Sequence, residues 1–161
     1  VAESSATIPG GESAHALRYG QQAYASGKFA ARGDAQTSLY VLRNSTSTTN
    51  LTELFMDGAY WHMTIPVGGT WTFEIQVTGR NNSGSSAGYL FSGVVKNVGG
   101  TTSIVGGAGA VNKTVLAEDV GAWDASVSAV DGSTDALVIQ VTGDTSTIRW
   151  VGSARLTEVQ Y

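Results

Sequence analysis

Trp71, Phe73, Ile75 and Val77 alternate with Thr72, Glu74, Gln76 and Thr78, and this strict period of two predicts a β-strand with one buried face. Before it, Ser38 to Arg43 and Thr52 to Met56 read as strands around a polar Asn44 to Asn50 loop. Trp61, Met63 and Ile65 alternate against Tyr60, His62 and Thr64, and Pro66-Val67-Gly68-Gly69 supplies the turn that follows. After the Asn81 to Gly88 loop, Tyr89, Phe91, Gly93 and Val95 resume the alternation, and Gly99-Gly100 marks a hairpin into Thr101 to Val105. Trp123, Ala125, Val127 and Ala129 lead through Asp131-Gly132 to Leu137, Ile139 and Val141, and a hairpin at Gly143-Asp144 brings in Ile148 to Val159. Ala110 to Asp119 fits either a strand or one helical turn. Short strands punctuated by turns, with no convincing helix, predict an all-β fold: an antiparallel β-sandwich of jelly-roll type.

The first part of the chain keeps another rhythm. In Ala14-His15-Ala16 to Gly20, Ala23-Tyr24-Ala25-Ser26-Gly27 and Phe29-Ala30-Ala31-Arg32-Gly33, small residues recur at alternate positions ahead of a glycine. Alternate small side chains suit an interior too narrow for larger ones, and glycine suits the corner, so this is the pattern of a β-roll or solenoid stub. Three half-rungs need stacked neighbours, and residues 8 to 36 are therefore expected to continue a shaft. The resulting division is a shaft end at 1–36 and a C-terminal sandwich at 37–161. The chain opens at Val1 without an initiator methionine, and the expectation is a piece of a longer polypeptide.

Composition narrows the function classes. In 161 residues there are 21 Gly, 2 Pro and no Cys, so no disulfide, thiolate metal site or cysteine nucleophile is available. Nine Lys and Arg against 13 Asp and Glu, a net charge of −4, provide no basic stripe for nucleic acid. No apolar run has the length of a membrane helix, and membrane insertion is not expected.

The chemistry-bearing residues are few. His15 lies in the repeat and His62 on the outward face of a strand, neither beside a Gly-x-Ser-x-Gly elbow. Asp57, Glu74, Glu118, Asp119 and Asp124 are the carboxylates that a glycosidase would have to pair across a cleft, although acids beside glycine, as at Asp57-Gly58, are ordinary turn formers. Asp131-Gly-Ser-Thr-Asp135 lacks the dense ligand alternation of a calcium loop, and Gly106-Gly107-Ala-Gly109 lacks the Lys of a phosphate loop. No catalytic residue, metal or cofactor is therefore assigned. Trp61, Trp71, Trp123 and Trp150 share register with aliphatic neighbours and are expected in the core, which leaves Tyr60 and His62 as the outward aromatic pair and the candidate ligand-binding residues. The loops Asn44 to Asn50, Asn81 to Gly88 and Gly106 to Ala110 are the places where specificity could vary without disturbing the core.

The stretch from Ile8-Pro9-Gly10-Gly11 through Ala14-His-Ala16, Gln22-Ala-Tyr-Ala-Ser-Gly27 and Phe29-Ala-Ala-Arg-Gly-Asp-Ala-Gln36 resembles the Ala-x-Ala-x-Gly rungs near the ends of tailed-bacteriophage fibre shafts. More loosely, it is similar to the β-roll heads of trimeric autotransporter adhesins. Tyr40-Val-Leu-Arg43, Thr52-Glu-Leu-Phe55, Asp57-Gly58, Thr70-Trp71-Thr-Phe73, Ala122-Trp123-Asp124 and Ile148-Arg-Trp150-Val151 look like the landmarks of a C-terminal tail-fibre domain, in order. The resemblance implies an extracellular virion protein at the distal tail fibre, homotrimeric about the fibre axis, whose end contacts a bacterial surface glycan or receptor. In that family small residues follow the Asp-Gly pair, whereas here Ala59-Tyr60-Trp61-His62 follow it, which singles out Tyr60 and His62 for specificity. The expected function is host-glycan recognition without catalysis. A trimerisation or folding clamp that binds nothing and a polysaccharide depolymerase module are the alternatives.

Overall fold

The alternation around Trp71 matures into one of three thirteen-residue strands that lie together at the centre of a sheet. The computed structural model describes residues 5–161; the first four residues of the predicted shaft end lie outside them. In chain order the strands are β1 (Gly11–Glu12), β2 (Gln22–Ser26), β3 (Ala35–Thr46), β4 (Thr52–Glu53), β5 (Met63–Thr64), β6 (Gly69–Asn81), β7 (Ser86–Val98), β8 (Thr101–Ile104), β9 (Asn112–Glu118), β10 (Asp124–Val130), β11 (Ala136–Thr142) and β12 (Ile148–Gln160). Ala110 to Asp119, open between helix and strand on sequence, is the end of a short 3-10 turn at Ala108–Ala110 followed by β9.

The larger sheet runs β1-β2-β3-β12-β6-β7-β8, with β9 also on β7, and the smaller runs β10-β11-β4, with β5 also on β11. The fold is all-β, as the alternation implies. Its strands divide eight against four, a different partition from the two balanced sheets of a jelly roll. The final strand, β12, is central: it pairs antiparallel with β3 from Ile148 to Val159 and with β6 from Ile148 to Gln160. β6 continues into β7 and β7 into β8 as antiparallel hairpins.

Buried side chains of both sheets merge in one core. Trp71, Phe73, Ile75 and Val77 of β6 and Trp150, Ala154 and Leu156 of β12 meet Leu137, Ile139 and Val141 of β11 there. The Trp123 and Trp150 rings meet edge to face with centroids 5.6 Å apart. Each buried indole N–H finds an acceptor, Asp144 Oδ2 at 2.8 Å for Trp123 and Thr46 Oγ1 at 3.0 Å for Trp150. Gly79 lies opposite Trp150 in the ladder, and a Cβ there would collide with the six-membered ring of the indole.

The repeat folds partly as its pattern implies. Ala14, Ala16, Ala23 and Ala25 turn inward into a small cluster of their own, and β1 lies parallel to β2. The third half-rung does not form: the N–H groups of Phe29, Ala30 and Ala31 all donate to the Asp34 carboxylate, closing a turn that leaves Phe29 80% exposed. β2 pairs with β3, so the stub extends the large sheet, and β3 itself begins at Ala35, just before the change of pattern.

Two buried glutamines fasten this stub. Gln21 Oε1 accepts from the N–H groups of Leu17 and Arg18, and its Nε2 donates to Ser38 Oγ at 2.8 Å. Gln36 exchanges hydrogen bonds with both backbone groups of His15, and its Nε2 also reaches Glu158 Oε2 at 3.2 Å. Among the described residues the second oxygen of Glu158 and the Tyr40 hydroxyl are buried without a hydrogen-bond partner. Burial pushes the Glu158 carboxyl up, against smaller lowering contributions from Ser38, Arg18 and Gln36.

Two predictions follow from this packing. Gly79→Ala should destabilise the fold by about 1–3 kcal/mol in urea titration, because the Trp150 ring has nowhere to go. A group whose folded pKa is raised costs stability as pH rises above its unfolded value. Glu158→Gln should therefore melt at the same temperature as the wild type near pH 4 and at a higher one near pH 8; equal melting at both would contradict it.

Candidate functional site

Between the short strands β4 and β5 the chain departs from alternation, and Asp57 is the cause. Its Oδ1 accepts from the N–H groups of Ala59, Tyr60 and Trp61 at 3.0, 2.8 and 3.0 Å. These bonds, led by those from Tyr60 and Trp61, hold its carboxyl down at about 2. Gly58 takes φ of +87°, a left-handed conformation suited to glycine, with the Arg43 side chain lying across it. Arg43 Nη2 donates to Asp57 O at 2.7 Å, and the Met56 N–H donates to Trp61 O at 2.9 Å, so the loop is closed on itself.

This closed loop pushes two aromatic rings outward. Tyr60 is 69% and Trp61 51% exposed, with ring centroids 5.5 Å apart and planes at 83°. Beside them a cleft of about 230 Å³ is lined by Trp61, His62, Met56 and Thr64 on one wall and by Leu17, Arg18 and Tyr19 of the stub on the other. The Arg18 guanidinium lies 5.1 Å from the centroid of the buried Trp71 ring and its Nε donates to Thr64 O, which ties the two walls together.

His62 Nδ1 lies 2.7 Å from Glu53 Oε1, and its ring meets Phe55 edge to face at 5.1 Å. Hydrogen bonding to the carboxylate through Nδ1–H leaves Nε2 to accept from a ligand hydroxyl, or to donate to one when protonated. A flat apolar ring on Trp61, a second on Tyr60, and polar groups at His62, Thr64 and Arg18 can together stack on and orient a small polyhydroxylated ring.

Tyr60 and His62 are brought to the same loop: His62 lines the cleft, and Tyr60 stands at its side against Trp61. Trp61, expected in the core, is half exposed, because the Asp57 turn continues to residue 61 and regular alternation resumes only at Met63. An Asp-Gly pair followed by residues whose N–H groups must be satisfied was the available signal. Glu53 and the stub residues Arg18 and Tyr19 had none, because distant pairing places them here.

The other carboxylates are engaged elsewhere. Glu118 accepts from the Tyr89 hydroxyl at 2.9 Å, Asp119 from the Ser86 N–H at 2.8 Å, and Asp124 pairs with Lys113. Asp131 and Asp135 accept from the N–H and hydroxyl of Thr102 at 2.8 and 3.0 Å, fastening β8 to the β10–β11 turn. Glu74 lies opposite Arg155 on the outward face of the large sheet.

No family model matches the chain, and no curated protein matches it. Among solved structures the chain is similar to the tailspike protein gp49 from Acinetobacter baumannii bacteriophage Fri1, a capsular polysaccharide depolymerase. The likeness covers 80% of this chain and 20% of that one, at 14% identity and a TM-score of 0.41. It is a weak structural likeness to about a fifth of that protein.

The folded pKa of Asp57 lies below its unfolded value, so its contribution to stability is present above about pH 4 and is lost as pH falls towards 2. Asp57→Asn should therefore melt below the wild type at neutral pH and match it near pH 2, with Trp61 fluorescence more readily quenched at neutral pH. An unchanged melting profile would show that the carboxylate does not hold the loop.

Proposed function

We propose that the chain is the C-terminal module of a phage tail fibre, a two-layer β-sandwich on a shaft end, that associates as a homotrimer and recognises a glycan of the host bacterial surface without catalysis. The observation that carries this reading is the pair of exposed rings, Tyr60 and Trp61, fixed by Asp57 beside a cleft with polar groups. Exposed aromatic rings on a rigid loop lose little conformational freedom when a sugar stacks on them, so their surface serves binding. The order of fibre-like landmarks in the sequence supports the fibre context.

Trimerisation is supported by surface that this single chain leaves uncovered. Tyr24 and Phe29 of the stub are exposed, as is Val41 on the outward face of the large sheet. The stub's inward face, as far as it is described, is four buried alanines with Ala6 and Ile8 packed against them, a small core that gains from sibling chains around an axis. Three sites on one fibre would turn modest single-site affinity into avidity.

The test combines light scattering with binding to host cells and a glycan array. A trimer whose binding is competed by free oligosaccharide is expected, with Trp61→Ala lowering affinity by about tenfold, roughly 1.4 kcal/mol, and Tyr60→Ala by less. Both variants should melt with the wild type. A trimer that binds nothing on a suitable host panel would favour a folding clamp, glycan shortened on incubation would favour a depolymerase, and a monomer would remove the fibre reading.

A further inference from the structure

The ladder between β6 and β12 places Arg80 directly opposite Arg149 on the outward face of the large sheet, away from the aromatic cleft. Like charges directly opposite in an antiparallel pair are destabilising. Among the described residues neither arginine takes part in an ion pair. Arg80 Nη1 is steadied by the Gly84 carbonyl at 3.3 Å and Ser86 Oγ at 3.2 Å, while Arg149 forms no side-chain hydrogen bond among the described residues. In a chain with only nine basic residues, two are spent on this apposition.

The two arginines line a groove of about 610 Å³ together with Thr78, Asn82, Thr147 and Val151, and no carboxylate lines it. That volume lies within the range of small-ligand sites, about 300–1,000 Å³. Two guanidinium forks present parallel N–H donors matched to a carboxylate or a phosphate. Thr78 and Thr147, without side-chain hydrogen bonds of their own among the described residues, are available to sugar hydroxyls.

We infer that this groove is a second binding site, one for the oxyanion of an acidic saccharide, a sugar carboxylate or a sugar phosphate, with Arg80 and Arg149 as its anion-holding pair. The saccharide part of the inference rests on the glycan-recognition reading; the anion site does not. Binding would supply the negative charge that the fold omits, and would be electrostatic enough to weaken as salt rises.

The full chain would be titrated with glucuronate, glucose 6-phosphate and glucose while the Arg80 and Arg149 Nε–H resonances are followed. At least one of the two acids should shift both resonances and neutral glucose should not, with the responding acid identifying the anion. Arg80→Ser with Arg149→Thr should weaken binding of the responding acid at least tenfold by calorimetry, while Arg149→Thr alone melts no lower than the wild type, because a repulsion is removed. Trp61→Ala should leave the acid response intact, so loss of glycan binding at the cleft and failure of this site are separable. Silence to both acids, or a calorimetric affinity unchanged in the double variant, would overturn the inference. A lower melting temperature for Arg149→Thr would do so as well, by assigning the residue a structural role.

Discussion

The pairing of β12 with β3 on one side and β6 on the other is the constraint on which the rest of the structure depends. Through it Trp150 reaches the centre of the core, Gly79 must remain bare, and Glu158 is carried to the junction with the stub. Because β12 comes later in the chain than both of its partners and closes the middle of the sheet, β3 and β6 cannot complete their backbone hydrogen bonding until it arrives. Such distant pairing carries a large loop-closure cost before any contact rewards it, which is the signature of a slow-folding β-protein.

From that sheet the two candidate sites are built by different means. The aromatic cleft is a loop device: Asp57 gathers three N–H groups, Arg43 braces the turn, and two rings are left facing solvent. The arginine groove is a register device, since nothing but the alignment of β6 with β12 sets Arg80 beside Arg149. Both hold their side chains on elements tied to the core, a geometry suited to binding with little reorganisation. The stub contributes Arg18 and Tyr19 to one wall of the cleft, so the polar fastening at Gln21 and Gln36 also supports the site.

Much of this scaffold was legible in the sequence because alternation reports burial directly. Trp71 to Val77, Tyr89 to Val95 and Leu137 to Val141 are strands with the inward face read from their pattern. The inward alanines of the stub were legible for the same reason, whereas Phe29 to Ala31 were not, because their N–H groups go to the downstream Asp34 carboxylate in place of a strand partner. Trp61 was misplaced by the same kind of event at Asp57. Tyr60 and His62 could be singled out locally, but Glu53, Arg18 and the arginine pair depend on partners far along the chain, and one sequence does not encode register in readable form.

The central claim is that the ligand-facing loop is preformed on a rigid sheet. Native-state hydrogen exchange of the Ala59, Tyr60 and Trp61 amides tests it most directly, with the Asn44 to Asn50 loop and β12 as internal references. The account predicts protection well above that loop and approaching that of β12. Exchange of the three amides as fast as the Asn44 to Asn50 loop would mean that Asp57 does not hold the rings in place, and would contradict the account.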